Sequence, residues 1–213
     1  MKYKYLFFDF DGVIAESLEV KANAFRKMYE PFGKDIAEKV LHHHINNGGI
    51  SRFEKFKIYH EEYVGIAVDN QKINELANTF STFVLDGVVN SPYVNGFMEF
   101  MEKIGSGTTN WIITGTPTNE IIEILKRRSI KNLFTEAFGS PQKKDYWTEH
   151  IIDTHNLSRE SILFLGDALS DFNAARSSGI DFALRTHKDN VNLLEEFNGI
   201  RFADFYELES LLS

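Results

Sequence analysis

Asp9 and Asp11 stand two residues apart where an apolar run meets a glycine, Tyr5-Leu6-Phe7-Phe8-Asp9-Phe10-Asp11-Gly12-Val13-Ile14. Side chains alternate along an extended chain, so Phe10 points away from both acids. Strands of a parallel sheet read as short apolar runs, and ligands bind beyond their carboxyl ends. The pair therefore leaves the sheet at the edge where α/β folds do their chemistry. Gly12 allows the turn that follows. Asp and Gly also end strands as ordinary turn formers, so two carboxylates alone name no reaction.

Other segments carry complementary groups. Ile112-Ile113-Thr114-Gly115-Thr116-Pro117 brings the Thr114 hydroxyl off a strand just before a helix opened by Pro117. The alternative there is a helix cap or turn. Gly139-Ser140-Pro141-Gln142-Lys143-Lys144 delivers lysine after the following strand, although lysine in a loop is more often simply solvated. In Leu163-Phe164-Leu165-Gly166-Asp167-Ala168-Leu169-Ser170-Asp171, Asp167 follows a strand directly and Asp171 enters a helix. An acid in a helix's first turn also complements the helix dipole. Together these segments place carboxylates, a hydroxyl and an ammonium on one sheet edge. Hard oxygen donors of this kind suit Mg²⁺, which takes few protein carboxylates and keeps waters for itself and a phosphate.

The elements that must hold these groups follow from periodicity. Ala22, Phe25, Met28 and Tyr29, then Phe53, Phe56, Ile58 and Tyr59, then Ile73, Leu76, Ala77, Phe80 and Phe83 recur at helical spacing, so residues 16 to about 85 read as helical. Beyond about 90, apolar strands at 111–114, 133–138, 162–166 and 182–184 alternate with helices near 95–104, 117–128, 144–155 and 171–178. That alternation predicts an α/β fold with a parallel sheet of right-handed βαβ units. A strand, a helical block and then more βα units imply an insertion. Residues 1–15 and 87–213 form the expected sheet domain and 16–86 the helical module, with junctions at Ala15-Glu16-Ser17 and Leu85-Asp86-Gly87.

Bulk properties narrow the class. The 213 residues allow one large domain or a core with a smaller insert, and 19 phenylalanines imply an aromatic core. A net charge of −8, from 31 acidic and 23 basic residues, argues against nucleic acid and against an anionic membrane surface as partners. With no cysteine, a disulfide, a thiolate zinc site and a cysteine nucleophile are excluded. The first apolar run breaks at Asp9, too soon for a signal peptide, and no stretch approaches the ~20 apolar residues of a membrane span. These features point to a soluble, cytoplasmic protein.

Asp9-Phe10-Asp11-Gly12-Val13, Thr114, Lys144 and Gly166-Asp167 through Asp171 resemble the four motifs of the haloacid dehalogenase superfamily, in the spacing of its phosphatase branch. The helical block after the first motif is similar to that family's first type of cap, as in phosphoglycolate phosphatases and β-phosphoglucomutases. The resemblance implies a Rossmann-like core and a Mg²⁺-dependent phosphatase acting on a small phosphorylated metabolite, a sugar or short organic-acid phosphate. It makes Asp9 the nucleophile that becomes an aspartyl phosphate, and Asp11 the acid that protonates the leaving oxygen and then activates water. Thr114, with Gly115 beside it, corresponds to the phosphoryl-binding hydroxyl, and Lys144 to the lysine that neutralises Asp9 and the phosphate. Lys143 is the neighbouring alternative. Metal ligands by resemblance are Asp9, Asp167 and the Asp11 backbone carbonyl, with Asp171 a further ligand or a support.

These roles agree with simple electrostatics. A carboxylate attacking a phosphate dianion meets ~4 kcal/mol per unit-charge pair at ~4 Å and an effective dielectric of ~20. One magnesium and one ammonium are the minimum that offsets this. An acid two residues after the nucleophile disfavours the dehalogenase and phosphonatase branches, and the lack of membrane spans disfavours ion pumps. A β-phosphoglucomutase-like phosphomutase stays open as the alternative enzyme, and a catalytically silent binding protein as the alternative class. In the helical block, Asn46-Asn47-Gly48-Gly49-Ile50-Ser51-Arg52-Phe53 is similar to the segment from which sugar-phosphate mutases and related phosphatases present an arginine to the substrate. Arg52 suits that task by its planar fork of donors. The plainer reading is a helix start, with Ser51 as cap and Glu54 in the first turn. His42-His43-His44 would face different directions on a helix and receives no role.

Overall fold

The computed structural model describes residues 2–213. A six-stranded parallel sheet runs in the order β3-β2-β1-β4-β5-β6, built from β1 (Tyr5–Phe8), β2 (Thr109–Pro117), β3 (Glu136–Ser140), β4 (Ile162–Gly166), β5 (Asp181–Arg185) and β6 (Ile200–Phe202). The strand with the first acid pair is thus central. β1 pairs with β2 through Phe8 opposite Ile112, and with β4 through Phe8 opposite Leu165. Alternation sorts the side chains into two layers. Leu6, Phe8, Ile112, Leu163 and Leu165 pack on one face; Phe7, Trp111, Ile113, Phe164 and Phe182 pack on the other.

The first four α-helices after β1 are α1 (Leu18–Tyr29), α2 (Lys34–Asn46), α3 (Arg52–Ile58) and α4 (Asn70–Asn90). Ser51 caps α3 by accepting from the Phe53 amide at 3.3 Å, and Asp69 caps α4 by accepting from Lys72 at 2.7 Å. The plainer reading of Ser51 is therefore the observed one. The phenylalanine surplus gathers here: Phe25 meets Phe80 at 4.2 Å between ring centroids and Phe56 at 5.4 Å, while Tyr29 meets Tyr59 at 5.4 Å. Aromatic pairs at these separations favour tilted and edge contacts beyond simple burial. This cluster is continuous with the Leu6/Phe8 face of the sheet.

The remaining helices are α5 (Phe97–Ile104), α6 (Thr118–Arg127), α7 (Lys144–His155), α8 (Leu169–Ser177) and α9 (Phe205–Leu212). Three boundaries differ from the sequence expectation. The junction placed at 86/87 falls inside α4, because Gly87 is a helical contact rather than a turn: a Cβ there would lie 2.7 Å from Val20 Cγ1 of α1. The strand expected at 133–138 begins only at Glu136, with Lys131–Leu133 forming a short 3₁₀ turn that packs the half-buried Leu133 against the core. β6 and α9 extend the domain beyond the last expected strand, and Phe202, Phe205 and Leu208 are fully buried by them. Among the described residues no helix is long and apolar enough to cross a membrane.

Candidate active site

The carboxyl ends of β1, β2 and β4 converge with the start of α7. Asp9, immediately after β1, is 3% exposed; its Oδ1 accepts from the Phe10 amide at 2.6 Å and its Oδ2 from Lys144 Nζ at 2.7 Å. Lys144 opens α7 and also donates to Asp171 Oδ1 at 2.5 Å, so one ammonium bridges two buried carboxylates. Lys143, the neighbouring candidate, is exposed at the helix cap. The choice between the two lysines is thereby made by position: only Lys144 faces the acids. Asp171 Oδ2 accepts from the Ala168 amide at 3.0 Å, so it closes the first turn of α8 while it faces Lys144.

Asp167 completes the group. Oxygens of Asp9, Asp167 and Asp171 lie within 4.8 Å of one another, and all three residues are buried. His187 Nε2 lies 3.0 Å from Asp167 Oδ2, and Asn190 Nδ2 donates to the Asp167 carbonyl at 2.8 Å. The loop after β5 therefore fixes the orientation of this acid. Gly12 makes room for it: a Cβ there would sit 2.3 Å from Asp167 Oδ2, and its φ of +78° is one that glycine adopts without strain. The crowding shows in proton affinity. Burial raises the Asp9 carboxyl, with Asp167 and Asp11 adding to the rise and Lys144 opposing it. Burial likewise pushes Asp171 up to about 8, reinforced by Asp9 and Asp167 against Lys144. Three carboxylates share one ammonium, a donor set that lacks positive charge and that a hard divalent cation fits.

Asp11 is handled differently. Its carboxylate turns to Ser17 Oγ at 2.6 Å, to Thr116 Oγ1 at 3.0 Å, and to Lys21 of α1, which also donates to Thr116 at 2.6 Å. Burial alone would raise its pKa. The Lys21 charge and the hydrogen bonds from Lys21, Ser17 and Thr116 outweigh burial and hold Asp11 below the ordinary carboxylate range. The Asp11 side chain is consequently outside the Asp9–Asp167–Asp171 cluster.

Thr114 is 2% exposed at the end of β2, where the register with β3 shifts between Ile113 and Pro117. Its Oγ1 accepts from the Thr116 amide at 3.3 Å. Gly115, between the two threonines, lies under the 47–50 loop: a Cβ on Gly115 would meet the Gly49 carbonyl at 2.8 Å. That loop reaches deep into the site, since a Cβ on Gly49 would lie 3.2 Å from Lys144 Nζ and 2.0 Å from Ser170 Oγ.

Arg52 lies elsewhere than the substrate reading expected. Its Nη1 donates to Glu120 Oε2 at 2.8 Å and to Ser81 at 2.8 Å, and its Nη2 donates to Glu120 Oε1 at 2.6 Å. The planar fork that suited Arg52 to a substrate anion is filled by a carboxylate of α6. The three histidines diverge: His42 is exposed, His43 Nδ1 meets the Tyr59 hydroxyl at 3.2 Å, and His44 Nδ1 meets Lys55 Nζ at 2.9 Å. Sequence reasoning missed Lys21, Ser17, Thr116, His187 and Asn190. Thr116 had a signal in its position beside Thr114; the others had none beyond their residue type.

Comparison with known proteins agrees with this geometry. The family model for haloacid dehalogenase-like hydrolases matches residues 6–185. A phosphoglycolate phosphatase of Mannheimia succiniciproducens is 25% identical over 202 residues, covering 90% of this chain and 89% of that protein. A phosphorylated carbohydrates phosphatase of Thermotoga maritima is 25% identical over 185 residues, covering 82% and 81%. Among solved structures, a predicted phosphoglycolate phosphatase from Haemophilus somnus superposes with a TM-score of 0.77 at 20% identity, covering 100% of this chain and 99% of that one. A haloacid dehalogenase-like hydrolase from Streptococcus pneumoniae gives 0.71 at 20% identity, covering 99% and 98%. With the family match spanning all the strand ends that build the site, the chain belongs to the haloacid dehalogenase-like hydrolases.

Proposed function

We propose that the protein is a Mg²⁺-dependent phosphatase that hydrolyses small phosphate monoesters through an aspartyl phosphate on Asp9. The observation that carries this reading is Lys144 held between Asp9 and Asp171 at 2.7 and 2.5 Å, in a buried cluster whose negative charge it balances only in part. Asp9, Asp167, Asp171 and the Asp11 backbone carbonyl are the groups that would hold Mg²⁺. Bound there, the ion would supply positive charge against the phosphoryl oxygens.

The residues divide the work. Asp9 forms a bond from a carboxylate oxygen to phosphorus as the ester P–O bond breaks, and Asp11 gives its proton to the departing oxygen. Asp11 then takes a proton from water, which attacks phosphorus, frees phosphate and restores Asp9. The Lys21 contact favours the ionised Asp11 that this second half requires, whereas the first half requires its protonated form, which the negative charge of the incoming phosphate favours. Thr114 and Gly115 hold phosphoryl oxygens, and Lys144 offsets the repulsion between Asp9 and the incoming dianion. Phosphoryl transfer has a loose transition state, so positioning and charge carry most of the catalysis.

The helical block after β1 serves as the cap, with the Gly48-Gly49 stretch closing over the site. Closure of this kind excludes bulk water and limits substrates to small molecules. The named activities of the Mannheimia and Thermotoga relatives are of the same class. The test is phosphate release from p-nitrophenyl phosphate with and without Mg²⁺, comparing the wild type with Asp9→Asn. Turnover that needs Mg²⁺ and falls at least ~10³-fold in the variant is expected, as for loss of a nucleophile. Equal turnover by Asp9→Asn would overturn the assignment.

A further inference from the structure

Asp9, Asp167 and Asp171 are not equally engaged by the protein around them. Asp9 accepts from the Phe10 amide at Oδ1 and from Lys144 at Oδ2. Asp171 accepts from Lys144 at Oδ1 and from the Ala168 amide at Oδ2. Asp167 Oδ2 faces His187 Nε2 at 3.0 Å. Of these carboxylate oxygens, Asp167 Oδ1 alone accepts from no protein group among the described residues.

His187 makes Asp167 one-sided. Its Nδ1 accepts from the Asp189 amide at 3.3 Å, which leaves the ring proton on Nε2, where it is donated to Asp167 Oδ2. The two side chains are 12% and 7% exposed, so water competes little for the contact. The backbone beneath the ring is tied as well. The His187 amide donates to Asn190 Oδ1 at 2.8 Å, and Asn190 Nδ2 donates to the carbonyls of Asp167 and Arg185, each at 2.8 Å. Arg185 donates in turn to the Gly12 carbonyl at 3.1 Å. Gly12 walls the other side of Oδ2, where a Cβ would lie 2.3 Å from that oxygen. Oδ2 is thus enclosed by an imidazole and a glycine backbone. Asn190 already holds the Asp167 backbone, so the imidazole acts on the carboxylate.

Carboxylate geometry separates divalent cations. Ca²⁺ gathers about six to eight oxygens at ~2.3–2.6 Å and often takes both oxygens of one carboxylate. Mg²⁺ holds a strict octahedron at ~2.0–2.1 Å, with few protein carboxylates and several waters. An acid with one available oxygen suits Mg²⁺ and leaves Ca²⁺ short of a ligand. We propose that His187 is a positioning residue that sets the choice of cation: by engaging Asp167 Oδ2 it leaves only Oδ1 to the ion, so that the site favours Mg²⁺ over Ca²⁺. This rests on the magnesium-site reading above.

The experiment titrates the metal-free protein with MgCl₂ and with CaCl₂ in the absence of substrate, reading dissociation constants by calorimetry and the melting temperature in parallel. Wild type binds Mg²⁺ more tightly than Ca²⁺. His187→Leu frees Oδ2; Mg²⁺ affinity falls by roughly 10- to 100-fold, the scale of losing a partner behind a metal ligand, while Ca²⁺ affinity holds or rises. His187→Gln, whose side-chain amide restores an N–H donor, keeps the wild-type preference. A wild type that binds Ca²⁺ as tightly as Mg²⁺ overturns the proposal, whatever the variants do. So does a folded His187→Leu with the wild-type ratio of the two constants, and so does an equal weakening of both ions in the Leu and Gln variants, which marks a merely structural role. In each of these cases Mg²⁺ binding by the wild type leaves the phosphatase reading standing. A wild type that binds neither ion removes the magnesium site, and the role of His187 falls with it.

Discussion

Replacing Arg52 by alanine separates two roles that the sequence leaves side by side. The side chains of Arg52 and Glu120 are 4% and 7% exposed, and their two hydrogen bonds measure 2.8 and 2.6 Å. Ser81 of α4 joins them, accepting from Arg52 at 2.8 Å and donating to Glu120 at 2.5 Å. Arg52 also lies 4.6 Å above the Phe80 ring. Truncation leaves Glu120 buried with a single serine hydroxyl, a loss of about 3–5 kcal/mol for one partner of a buried pair. At about 2–4 °C per kcal/mol for a chain of this size, the melting temperature should fall by roughly 6–20 °C. Removing both charges in Arg52→Met/Glu120→Leu should recover most of the loss, and the double-mutant cycle isolates the pairing. The effect has a pH signature. Burial raises Glu120, but the hydrogen bonds and charge of Arg52, with help from Lys21 and Ser81, outweigh it and set the carboxyl below its ordinary 4.5. Stability from a depressed acid is complete above that ordinary value and fades as pH falls through the lower folded one. The gap between wild type and Arg52→Ala is therefore widest near neutrality and narrows below about pH 4.5. A variant that melts within ~2 °C of the wild type, while its KM for phosphate esters rises, would refute this reasoning and return Arg52 to the substrate.

Lys144→Ala should lower turnover of an aryl phosphate by roughly 10²-fold or more, the scale of losing one electrostatic stabiliser. Lys143→Ala, at an exposed position, should stay within about twofold; kinetics on the two purified variants checks the contrast. Mg²⁺ should raise the melting temperature by mass action, worth ~2.7 kcal/mol at a hundred times its dissociation constant. Asp167→Asn should erase most of that rise in a thermal titration against EDTA.

The strands that carry the site were legible because each is a short apolar run ended by the residue that matters. Phe7-Phe8-Asp9, Ile113-Thr114 and Leu165-Gly166-Asp167 could be placed without any distant contact. Lys144 could be found but not chosen over Lys143, since the choice depends on how α7 starts against Asp9, 135 residues earlier. Arg52 shows the opposite limit. Its chemistry was read correctly as a bidentate anion binder, but the anion is Glu120, 68 residues away, and no local pattern announces that meeting. Nothing in the local sequence sets Lys21 and Lys55 apart from other lysines. Only packing of α1 and α3 around Phe25 turns them inward.

The sheet order also has a consequence in time. β1 leaves the ribosome first, yet its neighbours are β2, about a hundred residues on, and β4, with Leu165 opposite Phe8. Pairings so distant in sequence are slow to close and confer nothing until both strands have been made. A nascent chain therefore carries Asp9 and Asp11 through most of synthesis as ordinary solvated acids. The surroundings of Asp9 are complete only when Lys144, Asp167 and Asp171 are translated, so a truncation ending before the fourth strand should lack the proposed centre.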